Sequence, residues 1–319
     1  MSVVEAPAAP AASGARARLR RSDALLLAAV NLLWSGSAVA VLTAVGEGGW
    51  QAGKVGPFTL AAARFAPAAL LFCLVQRARR ESVRIAPADR RSFLLLGGVG
   101  LALVYALFYW GIRSTTATEA TLLVAAEPVL IALIARLWLG ERMRFRQAAG
   151  MAAAFLGVYF IVAQGPVLRL SGSVVANATI VLALACEAWG SVLGKRLTGR
   201  YAGLSVVLWQ MAIGAMLLTP LAAWEFVAHP PGNLGAAEWG AIGYVVVVCS
   251  FLCYGVWFSL LKRCPVSSMG GFLFLQPVFG PFIAWAVRGE AVGLWTVLGG
   301  GLVVAAVYLV AVRRTLDVP

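Results

Sequence analysis

The chain has 319 residues, 61% of them hydrophobic and 12% charged, with a mean hydropathy of +0.87. So few polar residues cannot cover a water-soluble surface, which excludes a soluble globule and predicts an all-α, polytopic membrane protein. The net charge of +13 would suit nucleic acid if it formed one patch, but the Lys and Arg residues fall on alternate loops, which ties them to membrane orientation and anionic lipid instead.

Residues 1–22 are rich in Ala, Pro and Arg without periodicity and read as a disordered cytoplasmic tail. The apolar run after Arg21 is too long for a cleaved signal peptide and continues into Trp34, Ser35 and Gly36. Ten transmembrane helices follow, at approximately 24–44, 57–75, 93–112, 119–138, 145–163, 174–194, 204–224, 239–260, 266–286 and 291–312. Arg16, Arg18, Arg20 and Arg21 precede the first helix, and Arg77, Arg79, Arg80, Arg84, Arg90 and Arg91 join the second to the third. Arg142, Arg144 and Arg146 lie between the fourth and fifth, Lys195, Arg196 and Arg200 follow the sixth, Lys262 and Arg263 the eighth, and Arg313 and Arg314 the tenth. The other side holds Lys54, Arg113, Arg169 and Arg288. This asymmetry predicts that both termini are cytoplasmic.

The chain contains one unit twice. Residues 103–159 and 252–308 align without a gap, pairing Tyr105 with Tyr254, Pro128 with Pro277, Gly140-Glu141 with Gly289-Glu290, and Val158-Tyr159 with Val307-Tyr308. Each half has five helices, and five is odd, so the second copy enters the membrane from the opposite side. The expected architecture is two inverted five-helix repeats, 23–163 and 172–312, with a cavity between them.

Thr118-Glu119-Ala120 through Glu127-Pro128-Val129, then Leu139-Gly140-Glu141-Arg142, Gly150 and Gly157, resemble the C-terminal portion of an EamA domain. That domain is the repeat unit of the drug/metabolite transporter superfamily. Gln276-Pro277-Val278 to Arg288-Gly289-Glu290 resembles it again, and Trp34-Ser35-Gly36 and Ala62-Ala63-Arg64-Phe65 fit the same pattern. The resemblance covers roughly residues 24–312. It implies a ten-helix secondary transporter, most often an exporter of amino acids, metabolites or amphipathic toxic compounds, with a cavity lined by helices 1, 3, 4, 6, 8 and 9. It does not imply a particular cargo.

Glu127 and Glu187 are the acids well inside spans, about eight residues from a helix end and hence ~12 Å deep at 1.5 Å rise per residue. Buried carboxylates are costly in hydrocarbon, so each should face the bundle interior, either to bind a cation or proton or to pair with Arg64 or cap a broken helix. The repeat partner of Glu127 is the uncharged Gln276. Arg64 itself reads as a structural partner or snorkelling cation rather than a cargo ligand. Pro128 and Pro277 sit at equivalent mid-helix positions and break the ladder there, either to open the cavity or as a passive bend. Glu141 and Glu290 follow glycines at helix exits and read as boundary or gate-closing residues.

Trp34, Tyr105, Trp189 and Tyr254 are the deep aromatics that would suit a planar or amphipathic solute. Phe108, Tyr109, Trp110, Trp257 and Phe258 lie nearer helix ends, where an interfacial belt is the default. The expected substrate-binding set is therefore Trp34, Tyr105, Glu127, Glu187, Trp189, Tyr254 and Gln276, with Pro128, Pro277, Glu141 and Glu290 as helix-break or gating residues. No metal or cofactor is expected, because no Cys/His cluster or phosphate-binding loop is present.

The reading of function is a secondary exporter of the bacterial inner membrane, carrying a small amphipathic metabolite or amino acid by alternating access. An uptake or exchange carrier is the alternative. An integral membrane enzyme or lipid-handling protein lacks clustered acid-base or nucleophilic groups in the spans. The partners are then the small-molecule cargo and membrane lipid, without nucleic acid, and with a homodimer left open.

Overall fold

Apolar runs of this length wind into helices because in hydrocarbon every backbone N–H and C=O must be satisfied within the segment. The computed structural model describes residues 19–46, 54–112, 114, 117–141, 145–165, 173–289 and 291–311, with only the backbone of 117–119 and 309–311. Every regular element among them is helical. Nine are long and apolar enough to cross a membrane: α1 (Arg21–Val45), α2 (Pro57–Ala78), α3 (Pro87–Ile112), α4 (Ala120–Leu139), α5 (Phe145–Ala163), α6 (Val174–Thr198), α7 (Gly203–Ala228), α8 (Ala236–Leu261) and α9 (Val266–Arg288). A further apolar helix, α10 (Leu294–Ala311), follows. Large apolar side chains point outward along these helices, among them Leu25 (72% exposed), Leu137 (71%) and Val174 (82%). Such a surface is stable only against lipid.

Four of the helices are irregular inside. Residues Gly98–Leu103 of α3 and Tyr244–Cys253 of α8 form π turns. The α4 span is broken at Ala125 and Ala126, between Ala117–Val124 and Glu127–Leu139. Similarly, α9 runs as Val266–Gly270, a tight 3-10 stretch Gly271–Leu275, and Gln276–Arg288. The helices expected at 119–138 and 266–286 are thus interrupted, the first at Ala125 and Ala126 and the second by the 3-10 stretch. Pro128 and Pro277 fall at the second residue of the later piece, where a missing N–H costs nothing. Both later pieces end on a glycine in the left-handed region, Gly140 at φ +65° and Gly289 at φ +71°, a conformation that side chains with a Cβ resist.

Helix packing follows a pattern that reproduces itself when each helix is replaced by the one five places along. The α2 helix packs on α7 and α5 on α10; α3 and α4 pack on α6, and α8 and α9 on α1. Close approach needs small residues: a Cβ on Gly100 of α3 would lie 2.9 Å from the Cα of Gly190 on α6.

Charged side chains tie the ends together. At the end of the bundle that carries most of the basic residues, Arg263 pairs with Asp23 at 2.7 Å and Arg200 with Asp89 at 2.6 Å. At the same end the Lys195 ammonium donates to the carbonyls of Leu261 and Cys264. Gln76 at the end of α2 donates to the Leu204 carbonyl at 3.2 Å and accepts from the Ser205 hydroxyl, both at the start of α7. At the opposite end Glu225 of α7 accepts from the Thr59 N–H at 2.6 Å, at the start of α2, and Lys54 pairs with Glu238.

Candidate functional site

The site is assembled where α1, α2, α3, α4, α6, α8 and α9 meet at mid-span. Trp34 on α1 stacks edge-on against Tyr254 at 5.2 Å and leans on Trp257 at 5.7 Å. Its indole N–H donates to the carbonyl of Cys249 at 3.0 Å. That carbonyl belongs to the π stretch of α8, where altered winding changes which backbone acceptors are available. Tyr105 on α3 packs edge-on against Phe65 at 5.0 Å and Tyr109 at 5.5 Å, and its side chain interacts with that of Tyr254. Tyr105 and Tyr254, repeat partners in the sequence, therefore meet.

Glu187 lies on α6 at the depth of Tyr105, because the Gly100–Gly190 contact sets these two antiparallel helices side by side. It lies within electrostatic reach of Arg64, Tyr105, Tyr254 and Glu127. Glu127 is the first residue of the later piece of α4. Neither acid makes a hydrogen bond or salt bridge with another described residue. The alternative in which Glu127 pairs with Arg64 is not what the structure holds. Gln276, equivalent to Glu127, donates to the Asn31 side-chain oxygen at 3.0 Å, and Asn31 in turn donates to the Leu27 carbonyl at 2.8 Å. Trp34, Tyr105, Glu127, Glu187, Tyr254 and Gln276 are deep in the bundle and yet only half-buried.

Trp189 is set apart, with its ring 5.7 Å from that of Trp138, which is half exposed on the outer face. Trp257 and Phe258 are not interfacial. They are 4% and 2% exposed, because the Trp257 ring packs on Trp34 of α1 and the Phe258 ring faces Gly194 of α6. Arg64 does not snorkel. It is 6% exposed, its Nε donates to the Ser250 hydroxyl at 2.9 Å, and its guanidinium lies 4.8 Å from the Phe65 ring centre and 5.7 Å from that of Tyr105. Asn31 and Ser250 were not legible as site residues, since a lone amide or hydroxyl in an apolar run carries no pattern.

Glu141 bridges the two halves at the basic end. It accepts the N–H groups of Val266 and Ser267 at 3.1 Å each, and the Ser267 hydroxyl, capping the start of α9. Its repeat partner Glu290 lies outside the described residues. Among the described residues no group of three or more His, Cys, Asp or Glu side chains could hold a metal ion.

The sequence profile of the EamA-like transporter family matches residues 22–163 and again residues 175–312. The chain belongs to the EamA-like transporter family. As a member of that family, within the drug/metabolite transporter superfamily, it is a transporter protein and not an enzyme. An uncharacterized transporter of Archaeoglobus fulgidus is 27% identical over 91% of this chain and 97% of its own length. A probable terminal-alkyne amino-acid exporter of Streptantibioticus cattleyicolor is 31% identical over 72% of this chain and 75% of its own. A probable amino-acid metabolite efflux pump of Salmonella typhimurium is 28% identical over 69% of this chain and 79% of its own. One solved crystal structure superposes with a TM-score of 0.76 at 19% identity, covering 94% of this chain and all of the other. The EamA chain shares that fold.

Proposed function

We propose that this EamA protein is a secondary transporter of the bacterial inner membrane, exporting a small amphipathic metabolite or amino acid by alternating access. It crosses the membrane ten times as two inverted five-helix repeats, 23–163 and 172–312, with both termini cytoplasmic and the basic end inside. The observation that carries the reading is the convergence at mid-span of Trp34, Tyr105 and Tyr254 with Glu127 and Glu187, two acids that no described residue pairs. In hydrocarbon an unpaired carboxylate is retained when it serves a cation, a proton or a solute. The two π stretches, the two broken helices and the self-reproducing contact pattern support inverted repeats. So do the crossed caps: Gln76 with Ser205 maps onto Glu225 with the start of α2 under the displacement that relates Tyr105 to Tyr254.

Relatives named as a probable terminal-alkyne amino-acid exporter and a probable amino-acid metabolite efflux pump support export as the direction. Two measurements test the proposal. Reporter fusions after Ala163 and after Pro319 are expected to report opposite sides of the membrane; matching signals would remove the five-helix repeat. Cells overproducing the protein are expected to accumulate less of an external amino-acid analogue, whereas greater accumulation would favour uptake.

A further inference from the structure

Arg64 is a nearly buried guanidinium with no carboxylate. None lies within 4.0 Å of it among the described residues, and its hydrogen bond to Ser250 uses only Nε. Its two Nη atoms make no hydrogen bond with a described residue. The faces of Phe65 and Tyr105 hold it by cation-π contact, which orients a cation without neutralising it. Glu187 is the complementary case: a carboxylate in electrostatic reach of that guanidinium, half-buried and unbridged to it. Both sit around Tyr105, Arg64 across its ring face and Glu187 at its depth on the neighbouring helix.

Two opposite charges held apart in a low-dielectric interior are each costly unless something lies between them. A pair kept only for structure would be expected to close into a salt bridge, and none joins these two within 4.0 Å.

We propose that Arg64 and Glu187 are the two poles of a zwitterion site. The Nη atoms of Arg64 take the α-carboxylate of an amino acid through the bidentate geometry that guanidinium offers. Glu187 takes the ammonium group, and the aromatic wall of Trp34, Tyr105 and Tyr254 takes the side chain. This deepens the transporter reading and rests on it, by naming a free zwitterionic amino acid as the cargo class and Arg64 as its anion anchor.

The test uses the full-length protein in liposomes and needs no variant for its first arm. Each of the common amino acids is loaded in turn, and the best transported is compared with its decarboxylated amine and its deaminated acid. The zwitterion is expected to exceed both analogues by at least about tenfold, since a site built to bond a group rejects the ligand that lacks it. Equal transport of amine and amino acid would overturn the role of Arg64 while leaving a transporter. Transport of an amphipathic metabolite but of no amino acid would overturn the zwitterion site while leaving a transporter, and transport of neither would remove the transporter reading itself. In the second arm Arg64→Gln is expected to lower the ratio of amino-acid to amine transport at least about tenfold, and Glu187→Gln the ratio of amino acid to deaminated acid. These ratios are insensitive to the amount of folded protein, so unchanged ratios in both variants would overturn the assignment.

Discussion

Glu141 fastens the loop between α8 and α9, and the strength of that fastening can be worked out. Its carboxylate accepts two backbone N–H bonds at 3.1 Å and one hydroxyl. A hydrogen bond to a charged group contributes roughly 1.5–3 kcal/mol when buried. Glu141 is half-buried and water can replace it, so about 2–3 kcal/mol for the whole set is the appropriate scale, with N-terminal capping included. At about 1.4 kcal/mol per factor of ten, Glu141→Ala should make opening of this end roughly 30- to 150-fold more frequent. Cys264 reports it. The side chain is fully buried in the loop, and burial pushes its thiol up to about 11, against about 8.5 for a free cysteine. Below that value the closed-state thiol is protonated, so alkylation at neutral pH goes through the opened loop, and any closed-state rate should rise tenfold per pH unit until about 11. With Cys73, Cys186, Cys249 and Cys253 replaced by Ala, N-ethylmaleimide at pH 7.5 should label Cys264 at least tenfold faster in Glu141→Ala than in the parent. Equal rates in two equally stable proteins would refute the view that Glu141 holds the loop shut.

Glu187→Gln is expected to slow transport in liposomes and to flatten its pH dependence, while the protein keeps its normal size-exclusion profile; unchanged transport and pH profile would assign Glu187 to structure. Gly100→Val should push α3 off α6, because even a Cβ there meets Gly190 at 2.9 Å, and overpacking of this kind costs about 1–3 kcal/mol; an unchanged melting temperature would show that the contact is not tight. Glu225→Ala leaves the Thr59 N–H without its acceptor and should destabilise by about 1–3 kcal/mol, and Gln76→Ala should behave alike through Ser205, as thermal unfolding in detergent can measure.

Most of the architecture was legible because hydrocarbon enforces it. Spans, loop charges and the duplicated Pro-Val and Gly-Glu pairs needed only composition and spacing. The breaks at Ala125 and within Gly271–Leu275 were only half legible: the prolines announced a disturbance, but how the backbone spent it depended on neighbouring helices. The π stretches carried no signal, since apolar residues such as Val245 and Leu252 serve either winding equally well. For the site, depth identified Glu127, Glu187, Tyr105 and Tyr254 as candidates. Depth alone misplaced Trp257 and Phe258, because distance from a helix end says nothing about which way a side chain faces. Arg64 was read as a partner for an acid, and the geometry leaves it without one.

The crossed caps at the two ends of α2 and α7 are chemically unequal, an amide in Gln76 and a carboxylate in Glu225. A molecule whose halves were identical would be energetically degenerate, resting as readily open to one compartment as to the other. On the inverted-repeat reading proposed above, Gln76 against Glu225 and Gln276 against Glu127 are among the differences that lift that degeneracy. The resting orientation is then written where the two copies have diverged, and exchanging these residues between halves is expected to shift the bias.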